Sequence, residues 1–281
     1  MNDDFRAASL QSWSTVAPDW GELTGWIDRL LAPAANWMMQ AAALEPEESV
    51  LELAGGPGTL SLLAKDAVGA GGRVICTDFS EAMVDEARRR IAAEGAQGIE
   101  CRVMDAEAID LPDASVDAVL CRMGYMLMAD PGTALRETAR VLRPGGRVAL
   151  AVWSDASSNP WAALPMRAIM ERLEAPPPPP GAPGMWALSD EQELHHLLED
   201  AGLEAIKIEA VEDIARYDSF DDWFGMTSRL AGPIRALLAN LDDEGRAAIT
   251  ASVREAGKSY EQPDGGLEMP EKILAASAWR G

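Results

Sequence analysis

Between residues 49 and 152, short apolar runs alternate with longer amphipathic stretches. Each short run is bounded by Gly, Pro or Asp, which is typical of a buried strand. The longer stretches repeat their apolar residues at helical spacing. This alternation predicts an α/β fold with a doubly wound, mostly parallel sheet between two layers of helices. The predicted strands are residues 49–53, 73–77, 99–103, 116–121 and 147–152, and the predicted crossover helices are residues 60–67, 81–93 and 132–142.

The segments on either side of this core are predicted to be mostly helical. Residues 10–44 are rich in Trp and Ala, with Pro18 and Pro33 placed to break or start helices. The pattern then predicts three parts: an N-terminal helical cap at 1–45, a ligand-binding core at 46–153, and lid insertions with the last two strands at 154–281. Within the third part we predict helices at 160–174, 191–201 and 220–256, strands at 203–211 and 272–279, and a stiff connector at the proline run 176–180.

Composition narrows the class of protein. The chain of 281 residues carries 46 acidic and 24 basic side chains, and the resulting net charge of −22 disfavours nucleic acid or a membrane surface as a partner. No apolar stretch approaches the ~20 residues that span a bilayer, and no secretory signal is apparent. We therefore expect a soluble, cytoplasmic protein, with a homodimer left open. Cys76, Cys101 and Cys121 are widely spaced and are expected to be buried, reduced thiols without a metal.

The strongest chemical signal is a glycine-rich turn that follows the first predicted strand. The segment from Glu52 to Gly58 reads Glu-Leu-Ala-Gly-Gly-Pro-Gly and runs directly into a helix. Glycines let the backbone approach a ligand closely, and ligands of doubly wound sheets bind at the carboxyl ends of the strands. Asp78 and Asp105 end the next two strands, where they can accept hydrogen bonds from ribose hydroxyls and from an adenine amino group.

Two other nucleotide sites fit this turn less well. A phosphate-binding loop needs Lys-Ser or Lys-Thr after the turn, whereas this chain has no lysine until Lys65. A dinucleotide site needs a third glycine where the chain has Ser61, and Glu52 would stand near the pyrophosphate. An adenosine ligand without phosphates fits better, and a nicotinamide oxidoreductase is disfavoured.

Four motifs occur in order: residues 52–58, Asp78, Asp105-Ala106 and the Leu-Arg-Pro-Gly-Gly-Arg of residues 142–147. Together they resemble the class I S-adenosylmethionine-dependent methyltransferases, which have a Rossmann-like fold, and especially the branch with ubiquinone and menaquinone biosynthesis enzymes and small-molecule methyltransferases. Ala54 stands where that family usually has its first glycine. By this resemblance the cofactor-binding residues are Glu52, Ala54, Gly55, Gly56 and Gly58 around the methionine, Asp78 at the ribose, Phe79, Met83, Asp105 and Ala106 at the adenine, and Arg122 beside the methionine end.

The resemblance implies transfer of a methyl group from S-adenosylmethionine, leaving S-adenosylhomocysteine. Met and Trp side chains outside the core favour a small hydrophobic or aromatic acceptor. No catalytic base is identified, because His195 and His196 lie mid-helix, one predicted to face the core and one the solvent, and Tyr125 is more typical of a pocket wall. The Trp residues at 13, 20, 26 and 37 are expected to pack rather than to stack on a ligand. The alternative function is a non-catalytic S-adenosylmethionine-binding module with a regulatory or assembly role.

Overall fold

A single seven-stranded sheet dominates the computed structural model, which describes residues 2–174, 179 and 181–281. The strand order is β3-β2-β1-β4-β5-β7-β6, with parallel pairing from β3 to β5 and antiparallel pairing of β7 with β5. The order reverses between β1 and β4, which is where such sheets bind ligands. The predicted doubly wound fold is therefore confirmed. The strands are β1 (Ser49–Glu52), β2 (Arg73–Asp78), β3 (Ile99–Val103), β4 (Val116–Arg122), β5 (Leu142–Trp153), β6 (Leu203–Tyr217) and β7 (Leu267–Arg280).

Several helices begin where short polar side chains cap them. Ser80 accepts a hydrogen bond from the backbone N–H of Met83, as its place before an acidic first turn predicts, and Asp130 accepts from that of Thr133. In the described part of the chain, no helix combines the length and the apolarity needed to cross a membrane. The helices are α1 (Asn2–Glu22), α2 (Thr24–Leu30), α3 (Ala32–Ala42), α4 (Thr59–Val68), α5 (Glu81–Ala93), α6 (Pro131–Val141), α7 (Pro160–Arg172), α8 (Glu191–Asp200), α9 (Phe220–Leu230), α10 (Gly232–Ala239) and α11 (Asp243–Gly257).

The chain divides into two compact units. The core unit comprises Met1–Trp153, Pro183–Val211 and Ile273–Gly281. The helical unit comprises Ser154–Ala182 and Glu212–Lys272, and in it α7, α9, α10 and α11 contact one another. The proline run at 176–180 lies outside the described residues, apart from Pro179.

The middle of the sheet is the apolar core of the core unit. Val50, Val119 and Leu150, on the three adjacent strands β1, β4 and β5, are fully buried. Near-continuous apolar strands are expected where helices cover both faces of a parallel sheet. Cys76 and Cys121 are buried as predicted, but the expectation for Cys101 is wrong. That thiol is partly exposed on β3, the edge strand of the sheet, although it packs against the cluster of Cys76, Ala87 and Ile91.

The positions of proline and glycine predict the ends of the helices and strands only in part. Pro33 lies in the first turn of α3, but Pro18 lies inside α1 without ending it. The helix continues because Val16 and Ala17 beside this proline are buried in a cluster with Met83 of α5. Gly145 has a φ of +77°, typical of a turn glycine, so Gly145 and Gly146 keep the turn that their sequence predicts before the regularly paired part of the strand. They lie in β5, where the pairing with β4 shifts between the Val116 and Ala118 positions.

Arg147 ties the end of α3 to the sheet. Its Nε donates to the carbonyl oxygen of Ala42 at 2.5 Å, and its Nη2 donates to that of Ala43 at 3.0 Å. The same guanidinium forms a two-pronged ion pair with Glu48, at 2.5 and 2.7 Å. Because Arg147 is only 8% exposed, these bonds satisfy a largely buried charge and the carbonyls that a helix leaves unpaired at its C-terminus.

We expect Arg147→Met to lower the free energy of unfolding by about 3 kcal/mol or more, because it leaves the Glu48 carboxylate without its partner. Urea denaturation followed by circular dichroism measures this. Arg143→Met is the matched control, since Arg143 forms an exposed ion pair with Asp117 at 2.6 Å and its loss should cost under about 1 kcal/mol. Equal losses in the two variants would contradict the structural role given to Arg147.

Candidate functional site

The glycine turn between β1 and α4 lies against the neighbouring strand β2. The backbone N–H of Gly55 donates to the carbonyl oxygen of Thr77 at 2.8 Å. A Cβ on Gly55 would lie 3.0 Å from the Cys76 sulfur, closer than side chains normally approach. Gly58 has a φ of +78° and caps α4. Glycine therefore allows both the close approach and the left-handed turn, and it leaves the N-terminus of α4 facing the edge of the sheet.

Ala54 departs from the glycine usual at its position, and its backbone shows the consequence. Its φ is +49°, in the left-handed region that residues with a Cβ disfavour. The Cβ of Ala54 is accommodated by Gly124 after β4, where a second Cβ would come within 2.7 Å of it. A strained alanine is thus matched by a glycine on the adjoining strand end.

Glu52 ends β1 beneath the turn. It is 2% exposed, and its Oε2 accepts a hydrogen bond from the backbone N–H of Ser61 at 2.8 Å and another from the Ser61 hydroxyl. Burial raises the pKa of Glu52 to about 7, although the Ser61 bonds and the nearby Arg122 charge act in the opposite direction. The carboxylate therefore anchors the first turn of α4 from below.

Asp78 ends β2 and holds the other side of the turn. Its Oδ2 accepts from the backbone N–H of Gly56 at 3.1 Å, and its Oδ1 accepts from that of Ser80 at 2.9 Å. Burial raises the pKa of Asp78 to about 6, against the lowering effect of these bonds. Each carboxylate oxygen keeps lone-pair capacity beyond the bonds shown, so it can accept further hydrogen bonds.

An open pocket of about 270 Å³ is lined by Phe79, the residue that follows Asp78 in the chain. Phe79 and Asp105, both predicted to face the adenine, line it, so the structure brings these two residues together. Asp105 also accepts from the backbone N–H of Glu107 at 2.9 Å and forms an ion pair with Arg6 of α1. Arg6 in turn bonds Glu107 at 2.6 Å, so the first helix is tied to the rim of the pocket.

Met83 and Ala106 are buried and, unlike Phe79, do not line the pocket. Met83 is 2% exposed and packs with Val16 and Ala17 of α1, so that helix covers it. Ala106 is buried in the turn after Asp105. Neither lines the pocket between Phe79 and Asp105, so their predicted contact with adenine stays a prediction.

Arg122 ends β4 beside the glycine turn and is incompletely satisfied. Its Nη1 is buried and has no hydrogen-bond partner among the described residues. Burial lowers the pKa of Arg122, while the carboxylates of Glu52 and Asp28 raise it. Asp28 is itself engaged, because it accepts from Thr59 Oγ1 and from Arg90 Nη2, both at 2.6 Å. A buried donor without a partner is costly in a folded protein and is expected where a ligand completes the site.

The residues considered as general bases are Tyr125, His195 and His196, and each lies in a different environment. Tyr125 is fully buried and shares a 2.6 Å hydrogen bond with Thr138 Oγ1. His195 lies 3.3 Å from Glu199 with 45% of its side chain exposed. His196 is exposed. The prediction that one of these histidines faces the core is therefore wrong, because Leu194 and Leu198, four residues apart, form the buried stripe of α8.

The tryptophans of the N-terminal helices pack, but one of them also reaches the site. Trp13 and Trp20 meet edge to face at 5.7 Å and cover the cluster around Met83. The ring of Trp20 also lies 3.9 Å from where a Cβ on Gly56 would stand, so it borders the glycine turn. Trp37 donates through its Nε1 to Glu209 at 2.6 Å.

The sequence analysis missed the contribution of the first residues. Arg6, Ala7 and Leu10 line the pocket together with Phe79 and Val103. Arg6 and Leu10 are four residues apart and therefore share one face of α1. The predicted helical segment begins at residue 10, so it does not include Arg6 and Ala7.

Comparison with known proteins agrees with this geometry. Residues 50–146 match the family described as "Methyltransferase domain". The chain is 34% identical over 180 residues to the demethylmenaquinone methyltransferase of Thermus thermophilus, a match that covers 62% of this chain and 68% of that protein. The chain therefore belongs to the class I S-adenosylmethionine-dependent methyltransferases. The family's cofactor is S-adenosylmethionine.

Solved structures share the fold. A putative methyltransferase from Bacillus halodurans superposes with a TM-score of 0.62 at 21% identity, covering 88% of this chain and 98% of that one. A geranyl diphosphate methyltransferase in complex with S-adenosylmethionine gives 0.53 at 18% identity, covering 92% and 89%. Among the curated relatives, the matched part is between 32% and 68% of their own length.

We expect Ala54→Gly to raise the free energy of unfolding by about 0.5–1 kcal/mol, because glycine removes the left-handed strain. Urea denaturation measures this. Ala92→Gly, in the exposed part of α5, is the matched control and should lower the free energy of unfolding by about 1 kcal/mol. Destabilisation by both substitutions would show that the strain inferred at Ala54 is absent.

The raised pKa of Asp78 predicts a particular dependence of stability on pH. Between the unfolded pKa of 3.8 and the folded pKa of about 6, the folded chain binds more protons than the unfolded chain. The free energy of unfolding therefore falls as pH rises through this window, by at most about 3 kcal/mol from this group. Asp78→Asn should reduce the fall measured between about pH 4.5 and about pH 7. An unchanged pH profile would contradict the inferred protonation of Asp78.

Proposed function

We propose that this protein transfers the methyl group of S-adenosylmethionine to a small hydrophobic or aromatic molecule. The observation that carries the proposal is Asp78, a buried carboxylate at the end of β2 with lone-pair capacity left, followed directly by Phe79, which lines a pocket together with Asp105. This arrangement suits an adenosine, because ribose offers two hydroxyl donors and adenine offers a flat apolar face and an amino group.

The residues around the turn fit the whole cofactor. We assign Asp78 to the ribose hydroxyls, Phe79 to the adenine face and Asp105 to the adenine amino group. Gly55, Gly56 and Gly58 would let the backbone follow the methionine portion. The unpartnered Nη1 of Arg122 fits the methionine carboxylate, because this pairing would satisfy a donor that the described protein leaves unsatisfied.

Four of the predicted cofactor-binding residues are assigned a supporting role instead of a direct contact with the cofactor. Glu52 and Ala54 shape the turn, because their contacts are with Ser61 and Gly124. Met83 and Ala106 would form the buried layer behind the adenine. Before Asp105 can bind the adenine amino group, its ion pair with Arg6 must be shared or released.

When bound, the cofactor would supply a methyl group on a positively charged sulfur. The acceptor would form a bond to the methyl carbon in line as the carbon–sulfur bond breaks, with S-adenosylhomocysteine as the leaving group. Charge is lost in this step, so the tasks of the protein are alignment and exclusion of water. Alignment alone can contribute about 7–11 kcal/mol to such a reaction. Asp78 and the glycine turn would hold the adenosine in place, and Trp20 of α1 borders the turn.

Two observations support a hydrophobic or aromatic acceptor: the methionines of the helical unit and the name of one relative. Met166, Met170 and Met226 of α7 and α9 keep part of their flexible apolar side chains exposed, as methionine-rich binding surfaces do. The Thermus thermophilus relative is named for a quinone substrate, demethylmenaquinone. A ring-containing, largely apolar acceptor is consistent with both observations.

We expect the protein to bind S-adenosylhomocysteine in isothermal titration calorimetry, and Asp78→Asn to weaken this binding at least about tenfold through loss of a charge-assisted hydrogen bond. Asp85→Asn is the matched control on α5, because Asp85 is exposed and contacts Arg88. It should leave the dissociation constant within about twofold. Tight NADH binding without S-adenosylhomocysteine binding would instead revive the oxidoreductase function.

The catalytic half of the proposal is tested by transfer of a radiolabelled methyl group from S-adenosylmethionine to a panel of naphthols, hydroquinones and aliphatic amines. Transfer to members of the aromatic group is the expected result. Cofactor binding without transfer to any compound would favour the non-catalytic binding module.

A further inference from the structure

Two cysteines that the proposed function does not use face each other near the edge of the sheet. Cys76 of β2 and Cys101 of β3 are register partners in the parallel pairing of the two strands. Neighbouring strands lie about 4.8 Å apart, and most disulfides join Cα atoms about 4.4–6.8 Å apart. Register partners on parallel strands also point their side chains to the same face of the sheet. The backbone therefore holds the two thiols within the range that a disulfide requires.

The two side chains share one apolar cluster. Cys76 is buried there with Ala87 and Ile91 of α5, and Cys101 packs against the same cluster while staying partly exposed. A hydrogen bond joins the two thiols, with Cys76 as the donor and Cys101 as the acceptor. The third cysteine, Cys121, lies on β4, and β1 separates it from β2. One thiol that solvent reaches is thus paired with one buried thiol.

The electrostatic surroundings distinguish the two thiols. The hydrogen bond from Cys76 lowers the pKa of Cys101, and the Arg88 charge adds to this effect. Burial and the carboxylates of Glu52 and Glu100 act in the opposite direction. Arg88 is held beside Cys101, because its Nη2 donates to the carbonyl oxygen of that residue at 3.1 Å. The same hydrogen bond, burial and the Glu52 charge raise the pKa of Cys76 well above its usual value. Cys101 is therefore the thiol that ionises and reacts first, while Cys76 stays protonated.

We propose that Cys76 and Cys101 form a reversible disulfide when a hydroperoxide oxidises the protein. In the first step the Cys101 sulfur bonds to one peroxide oxygen as the O–O bond breaks, and the other oxygen takes up a proton and leaves as water or an alcohol. In the second step the Cys76 sulfur bonds to the Cys101 sulfur as the S–O bond of the sulfenic acid breaks, and hydroxide leaves with the Cys76 proton as water. The two thiols lose two electrons, which the hydroperoxide gains. A dithiol reductant reverses the change by thiol–disulfide exchange.

The glycine turn gives this bond a consequence. Cβ atoms on Gly55 and Gly58 would lie 3.0 and 3.5 Å from the Cys76 sulfur, so the turn packs against this atom. The Cys76 thiol has a second acceptor in Glu52, the carboxylate that anchors Ser61 in the first turn of α4. Formation of the disulfide removes the proton of this thiol and draws its sulfur towards β3. The turn then loses a hydrogen bond beneath it and part of its packing.

We therefore expect the disulfide to weaken cofactor binding at least about threefold, which is the effect of losing one modest hydrogen bond. This consequence rests on the proposed function, because it takes S-adenosylhomocysteine as the ligand of the glycine turn. Formation of the disulfide does not rest on it.

The first experiment treats the folded wild type with hydrogen peroxide and counts the remaining thiols by alkylation in denaturant and intact mass. One of the three thiols should remain, and peptide mapping should join Cys76 to Cys101. Dithiothreitol should restore all three. Retention of all three thiols, or a disulfide that includes Cys121 or a second chain, would overturn the proposal. Because the wild type carries this test, its result does not depend on how well a variant folds.

Three variants assign the two steps. Cys101→Ser should prevent the disulfide and leave Cys76 unreacted, because that thiol is buried. Cys76→Ser should leave a sulfenic acid on Cys101 that dimedone traps, because the second thiol is missing. Cys121→Ala is the matched control and should form the disulfide as the wild type does. Equal dimedone labelling of Cys101 in the wild type and in Cys76→Ser would contradict the role given to Cys76.

Calorimetry with S-adenosylhomocysteine tests the consequence for the turn and keeps the two proposals apart. The oxidised wild type should bind it more weakly than the reduced wild type, whereas Cys101→Ser should keep its affinity within about twofold after the same peroxide treatment. An unchanged affinity in the fully oxidised wild type would overturn the effect on the turn. Failure of the reduced wild type to bind would overturn the proposed function, while the thiol count would still decide whether the disulfide forms.

Discussion

The glycine turn after β1 is held between two buried carboxylates, and the rest of the site depends on this arrangement. Glu52 fixes the first turn of α4 through Ser61, and Asp78 fixes the middle of the turn through the backbone of Gly56. Both groups are taken out of water, which raises the pKa of each, and both are compensated by backbone donors. Because the turn is fixed in this way, the N-terminus of α4 is held against the end of β1. Beside the turn lies Arg122, whose Nη1 has no hydrogen-bond partner in the part of the chain that the structure describes.

Much of the core could be predicted because its signals are local. A strand, a glycine turn and a helix in succession define β1 and α4, and the acidic strand ends at Asp78 and Asp105 follow from the position of the sheet edge. The bounds of α5 and β3 agree with the prediction to the residue. The hydrophobic periodicity predicts that β5 begins at residue 147, whereas the strand begins at Leu142 in the structure. The irregular pairing around Gly145 breaks the alternation on which this prediction depends.

The remaining features could not be predicted because they depend on contacts between residues far apart in the chain. Arg6 reaches Asp105 and Glu107 about a hundred positions away, and neither end of this contact has a local pattern that names the other. Pro18 is tolerated in α1 because α5 packs beside it, which overrides the local preference. Glu271 has no motif at all. Its burial, and the lack of a partner for its Oε2 among the described residues, follow from contacts that the sequence does not show.

The pairing of α1 with α5 also has a consequence for biosynthesis. Val16 and Ala17 are fully buried, and the residue that joins them in their cluster, Met83, is synthesised much later. At about 5–20 residues per second, α1 leaves the ribosome seconds before α5 exists to cover it. During that interval its apolar face, with Trp13 and Trp20 beside it, is open to chaperones and to other nascent chains. The helix that borders the glycine turn in the finished protein therefore needs protection while the protein is being made.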